Sequence, residues 1–244
     1  MNNPQYMSGT GNNFVLSKYE NSKTDIEIIS IVSDSLFDID GVIFVEKIDS
    51  LTVKMHYYNN DGSTAELCVN GVRCVAKYAL DNSIVDSNEL TVVAPIGNIK
   101  TNVNENIVSL EVSIPTYEEN KLLIDGIECI KSNIGNPHLL VEVENVEKFD
   151  LEQFVQKVYE TKEFENGVNV EIFNMYDKKI INARVYERGV GETDACGSGA
   201  ICMFYYLYKT NQVNNDSIIF YPGGELEMSI EQEIVTLSGE VTYL

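Results

Sequence analysis

Two cysteines stand where a thiol can do chemistry. Cys68 and Cys196 each precede a glycine-containing turn that opens an apolar stretch, in C-V-N-G-V-R-C-V-A (68–76) and C-G-S-G-A-I-C-M-F (196–204). Each is followed six residues later by a second cysteine, Cys74 or Cys202. A cysteine at a helix start meets unpaired backbone N–H groups and the positive end of the helix dipole. Both favour thiolate and lower the pKa from its usual value of about 8.5. Such a sulfur is a base or a nucleophile. Cys74 and Cys202 fall inside the apolar stretches and Cys129 lacks a glycine turn, so these three read as small buried hydrophobes.

Two matched thiols acting on one substrate suit one reaction above others: a proton leaves one face of a carbon and another arrives on the opposite face. One sulfur is thiolate and the other thiol at any moment, and the pair exchanges roles between the forward and reverse directions. The N–H groups at the two helix starts would receive an α-carboxylate and the charge that develops as the α-carbon loses its proton, so no electron-sink cofactor is required. Around the thiols lie G-T-G-N-N-F (9–14), Y-N-N-D-G-S (58–63), G-N-P-H (135–138), V-N-V (168–170) and E-R-G-V-G-E-T-D-A-C-G-S-G (187–199). Taken singly, each is a turn, because Asn, Gly, Asp and Pro are turn residues. Together they supply the amides, the Arg and the Glu that hold a zwitterionic amino acid.

The elements that must position these groups are mostly strands. Period-2 alternation predicts strands over 51–58, 89–94, 107–113, 139–143, 168–173, 180–185 and 217–221. Helices are expected from the Thr24 cap to about Phe37, over 71–81, over 150–160 and over 197–209. The class is α+β. The order of elements gives two copies of one plan: strands, then a cysteine ahead of a glycine turn and an apolar helix. A boundary near Pro115 makes two lobes, with a cleft between them as the natural ligand site.

Bulk properties exclude other classes. With 17 Lys and Arg against 38 Asp and Glu, the net charge is −21 and no basic cluster stands out, so nucleic acid and anionic membrane are unfavourable partners. No apolar run approaches the roughly 20 residues that span a bilayer, and at 44% apolar and 23% charged the chain reads as a soluble globular protein. Its polar opening, M-N-N-P-Q-Y-M, lacks the features of a secretory signal, and five cysteines make an odd number; both suggest a reducing, cytoplasmic setting. No C-x-x-C pair and only two His argue against a metal site.

From Gly9 to the closing L-S-G-E-V, the sequence closely resembles the diaminopimelate epimerase family. The motifs that carry the likeness are G-x-G-N-x-F, N-x-D-G-S followed by C-x-N-G-x-R-C, G-N-P-H, and E-R-G-x-G-E-T-x-A-C-G-S-G-A, in that order. The resemblance implies two pseudo-symmetric lobes, each a curled mixed β-sheet around a central helix, at 71–81 and 197–209. The first lobe would be 1–114 with a returning strand at 233–244, and the second 115–232. It also implies a cofactor-independent enzyme that interconverts LL- and meso-diaminopimelate, with Cys68 and Cys196 as the acid/base pair. Asn12, Asn59, Asn136, Asn169 and Arg188, with Glu187, would hold the non-reacting end of the substrate. Backbone N–H groups of Val69, Asn70, Gly197 and Ser198 would bind the reacting carboxylate, and His138 and Glu187 would support the sulfurs. The expected partner is the small-molecule substrate alone; a homodimer is compatible with the sequence.

Two positions depart from the family pattern. Val69 follows Cys68 where the pattern has Gly, so either the backbone there has an ordinary φ or the carboxylate pocket is altered. The segment N-G-V-N before Val170 lacks the Arg usual in the family. The readings that compete are a related racemase of proline or histidine type, a binding paralogue without activity, and a metal-binding protein using Cys68, Cys74, His138 and Cys196.

Overall fold

The structure, a computed structural model, describes residues 4–64, 68–95 and 97–244. It divides into two compact units, Met1–Val112 with Ser238–Leu244, and Ser113–Leu237. The first opens with a hairpin of β1 (Gln5–Gly9) and β2 (Asn12–Lys18). Thr10 and Gly11 join them at φ 51° and 85°, the left-handed backbone that matches a two-residue turn to the twist of its strands.

Helix α1 (Asp25–Ser33) starts on a capping box. The Thr24 side chain accepts from the Glu27 N–H, and the Glu27 carboxylate accepts from the Thr24 N–H at 2.8 Å. It stops short of Phe37 because the hydroxyls of Ser33 and Ser35 turn back to the carbonyls of Ile29 and Ile31, each at 2.8 Å, and Asp34 caps the end.

Next come β3 (Gly41–Lys47), parallel to β2, and β4 (Thr52–Asn59), antiparallel to β3. Helix α2 (Val69–Asp81) follows, then β5 (Glu89–Ala94) parallel to β4, and the antiparallel strands β6 (Gly97–Asn104) and β7 (Ile107–Val112). Strands β2 and β3 are buried over consecutive residues rather than on one face, so alternation does not reveal them.

The second unit repeats the plan. After the short β8 (Thr116–Tyr117) and β9 (Leu122–Ile124), β10 (Ile127–Asn133) pairs antiparallel with β11 (Pro137–Glu142). Helix α3 (Leu151–Glu160) leads to β12 (Asn169–Met175), which is parallel to β11, and to β13 (Ile180–Glu187), antiparallel to β12. Then β14 (Gly191–Thr193) and helix α4 (Gly197–Lys209) precede β15 (Asp216–Tyr221), parallel to β13, and β16 (Gly224–Glu231), antiparallel to β15. Thus α2 and α4 occupy the same place in the two repeats, and each is 13 residues long.

The last strand, β17 (Ile234–Tyr243), places its end in the first unit, where it pairs with both β1 and β7. The strands of that unit therefore close on themselves, and α2 packs against every one of β1 to β7. Residues 69–79 are all buried. In the second unit α4 packs on β8, β11, β12 and β16, and its residues 197–205 are buried. Each unit is thus a mixed sheet curled around a helix, as expected. The seven strands read from alternation are all present with ends within two residues. Helix 197–209 has the predicted bounds, and the one expected to begin at Gly71 begins at Val69.

Two-residue periodicity then decides what faces α4. Leu139 and Val141 of β11, with Val170 and Ile172 of β12, pack into a cluster with Leu151, Phe154, Val155 and Val158 of α3. Intervening residues point to the opposite face, which puts His138 and Glu171 on the α4 side of the sheet.

Candidate active site

Cys68 is the N-cap of α2, and its Sγ accepts the Gly71 N–H at 3.3 Å. A β-carbon on Gly71 would lie 3.1 Å from that sulfur and 2.8 Å from Met55 Cε, so glycine here makes room for the thiol against an apolar wall. Val69 is the first helical residue and lies outside the positive-φ positions. Of the two alternatives for Val69, the backbone is therefore ordinary right-handed helix. Asn70 donates its side-chain amide to Asn12 Oδ1 at 2.6 Å, which brings together two of the predicted substrate-binding residues. Asn59 ends β4 and donates to the Ser63 hydroxyl at 2.8 Å within its own turn.

Behind this helix start lies a group that sequence reading did not single out. The Arg73 guanidinium is fully buried and donates to the Thr10 hydroxyl at 2.6 Å. Among the described residues its Nε and its other terminal nitrogen have no hydrogen-bond partner. Burial lowers Arg73 to about 10, still above neutral pH, and the neighbouring Cys74 and Cys68 sulfurs oppose that fall. Cys74 is no rival for Cys68, because burial pushes its own thiol up to about 12.

Cys196 is the N-cap of α4 but makes no side-chain cap bond. Its sulfur sits 3.3 Å from the Ser198 hydroxyl, and it is 5% exposed. Burial first, then the charges of Glu187 and Glu171, push its thiol well above the ordinary range; the Ser198 hydroxyl and the Gly199 N–H pull weakly the other way. A hydrogen-bonded chain leads away from Ser198. Asn136 donates its amide to the Ser198 hydroxyl at 3.4 Å, and its Oδ1 faces His138 Nε2 at 3.2 Å. His138 Nδ1 lies 3.1 Å from Glu171 Oε1, and the Tyr221 hydroxyl donates to Glu171 Oε2 at 3.2 Å.

His138 and Glu171 are each 1% exposed or less. A β-carbon on Gly199 would overlap the Glu171 carboxylate, so this glycine admits the acid beside the helix start. Asn169 Oδ1 accepts the Arg188 N–H at 2.8 Å, and Glu187 accepts from the Thr193 hydroxyl at 2.6 Å; both bonds hold the turn that carries Arg188. Every predicted site residue of this unit, from Asn136 and His138 to Ser198, is thus joined to at least one other polar group of the turn or the network, or lies at the α4 start.

Glu171 and Tyr221 are the members the sequence reading missed. Glu171 sits inside N-V-E-I-F, where a lone acid reads as the solvent face of a strand, and only the burial of that face by α4 makes it a site residue. His138, Glu171 and Cys196 offer three metal-type ligand atoms within 4.8 Å of one another. The metal-binding alternative did not include Glu171. Both nitrogens of His138 are engaged in the hydrogen-bonded chain.

The architecture places this chain among proteins built from two such helix-wrapping units. A PhzF-family phenazine biosynthesis protein of Bacillus anthracis has TM-score 0.74 at 17% identity, covering 99% of this chain and 96% of that one. A hydroxyproline epimerase of Agrobacterium vitis has TM-score 0.72 at 12% identity, covering 99% and 88%. Sequence is more specific. The family model for diaminopimelate epimerase matches residues 5–114 and 130–244. Diaminopimelate epimerases of Thermotoga maritima and Methanococcus maripaludis are 34% and 32% identical, over 86% and 90% of this chain and 86% and 88% of theirs. The chain belongs to the diaminopimelate epimerase family.

Proposed function

We propose that the protein is a two-thiol isomerase that interconverts LL- and meso-diaminopimelate. The observation that carries this reading is the pairing of Cys68 and Cys196 as N-caps of equivalent buried helices in two units of one plan. The thiolate takes the α-hydrogen as a proton and becomes a thiol. The thiol on the opposite face gives its proton to the α-carbon and becomes a thiolate, so the stereocentre inverts and the enzyme ends with its two roles exchanged. Backbone N–H groups of Val69, Asn70, Gly197 and Ser198 hold the reacting carboxylate and spread the charge of the carbanion. In this reading the thiols and these donors suffice without an organic or metal cofactor.

Asn12, Asn59, Asn136, Asn169 and Arg188, with Glu187, hold the second amino-acid end. Buried amides left unpaired by a substrate that lacks this end discriminate strongly, so alanine or leucine is a poor substrate. Family membership favours diaminopimelate over the proline- and histidine-type racemase alternatives. A cytoplasmic place in lysine biosynthesis, with a small molecule as the only obligate partner, completes the proposal. No helix among the described residues is long and apolar enough to cross a membrane. The test is substitution of each thiol: Cys68→Ala and Cys196→Ala each abolish epimerisation of LL-diaminopimelate while keeping a native circular-dichroism spectrum. Near-normal turnover by either variant contradicts the reading.

A further inference from the structure

Three donor atoms of different chemistry meet at the start of α4. One nitrogen of His138, a Glu171 oxygen and the Cys196 sulfur lie within 4.8 Å of one another, supplied by β11, β12 and the N-cap of α4. All three residues are at most 5% exposed. Imidazole, carboxylate and thiolate are the ligands that zinc takes from proteins. A cluster of surface acids offers oxygen alone, whereas this one adds nitrogen and sulfur.

We propose that His138, Glu171 and Cys196 bind a thiophilic divalent cation such as Zn2+, which shuts the enzyme off by holding the Cys196 sulfur. That the ion inhibits rests on the two-thiol reading; that it binds does not. In a tetrahedral zinc site, with bonds of about 2.0–2.3 Å, nitrogen and oxygen stand about 3.4 Å apart and sulfur about 3.6 Å from either. His138 Nδ1 and Glu171 Oε1 are already 3.1 Å apart. From a separation of at most 4.8 Å the sulfur closes by no more than about 1.2 Å. Cys196 makes no side-chain cap bond, so its rotation costs the helix start none.

The surroundings hold the other two ligands as a metal site requires. Tyr221 donates to Glu171 Oε2 at 3.2 Å and leaves Oε1 for the ion, while Asn136 Oδ1 faces His138 Nε2 at 3.2 Å and leaves Nδ1. A hydrogen bond on the outer atom of each ligand fixes its orientation. Charge balances as well. One proton lies between His138 Nδ1 and Glu171 Oε1, and Cys196 carries another as a thiol. The dication displaces both to solvent, and thiolate and carboxylate then cancel its two charges, so the buried site stays neutral. A fourth position is left to water. A sulfur bound to the ion has lost the proton it would give and cannot take another without breaking that bond.

The test uses the full chain freed of metal by a chelator. Because its 38 Asp and Glu offer weak sites for divalent ions, the readouts follow sulfur. Cadmium chloride brings up the ultraviolet charge-transfer absorption of a cadmium–thiolate bond, saturating at one ion per chain. The absorption is lost in Cys196→Ala and kept in Cys68→Ala, and Glu171→Gln weakens cadmium binding about tenfold or more. In the unsubstituted protein, zinc slows iodoacetamide alkylation of Cys196 and not of Cys68, followed by peptide mass spectrometry; this arm needs no variant to fold. Absence of the absorption, its survival in Cys196→Ala, its loss in Cys68→Ala, affinity indifferent to Glu171→Gln, or equal protection of the two cysteines overturns the site. With the site filled, turnover of LL-diaminopimelate stops and a chelator restores it. Turnover undiminished by the bound ion overturns the inhibitory role, whereas a metal-free enzyme without turnover counts against the two-thiol reading and leaves the binding result standing.

Discussion

At the scale of single residues, burial sorts the five cysteines into two kinds. Cys74, Cys129 and Cys202 are fully buried, and burial pushes each thiol to about 12. Unfolded thiols titrate at their ordinary value, about 8.5 to 9.0. Between about pH 9 and 12 the native state therefore binds more protons than the unfolded one, and stability falls as pH rises. Each thiol costs up to about 1.4 kcal/mol per pH unit in that window. Thermal melts at pH 8 and pH 10 should show a clear drop in Tm; equal values contradict the burial of these thiols. The cysteines were legible from residue type and spacing alone, because an N-cap followed by a glycine turn has a physical signature. Arg73 and Glu171 were not, since nothing local marks a charge inside an apolar helix or strand as buried; that depends on which element covers it.

At the scale of elements, the helices were legible where capping chemistry is strong. Asp150 accepts the Gln153 N–H at 3.0 Å, and Thr24 builds its box with Glu27, so both starts fall where the sequence puts them. Thr24→Ala removes that box and lowers stability by about 1 kcal/mol, to be read by urea denaturation; an unchanged midpoint would show the cap to be idle. Gly199→Ala is the more severe test of an element. Its added methyl must displace a buried carboxylate that Tyr221 and His138 hold, so a loss of about 1–3 kcal/mol is expected, with a lower Tm. A variant as stable as the parent contradicts the close approach of β12 to α4. Strands β2 and β3 escaped the sequence reading because a parallel strand covered on both faces loses its alternation.

At the scale of the whole molecule, the repeat is carried by topology. The alternation of antiparallel and parallel pairings from β1 to β6 recurs from β10 to β16, while the residues in equivalent strands differ. The last strand does what no other element can: it pairs with β1 and β7 and so leaves the first sheet without an open edge. Deleting 238–244 exposes both edges, and we expect self-association on sedimentation with loss of the first unit's cooperative melting; a monomeric, fully cooperative truncation would contradict the closed sheet.

The central claim is that different sulfurs remove and return the proton. Conversion of LL-diaminopimelate in deuterated water, stopped after a few per cent of reaction, tests it most directly. With two thiols the meso product carries deuterium at the inverted carbon while the remaining LL substrate carries none, because the thiol that donates is never the one that has just accepted. Equal deuterium in product and recovered substrate from the first time points, the mark of one base serving both faces, would contradict it.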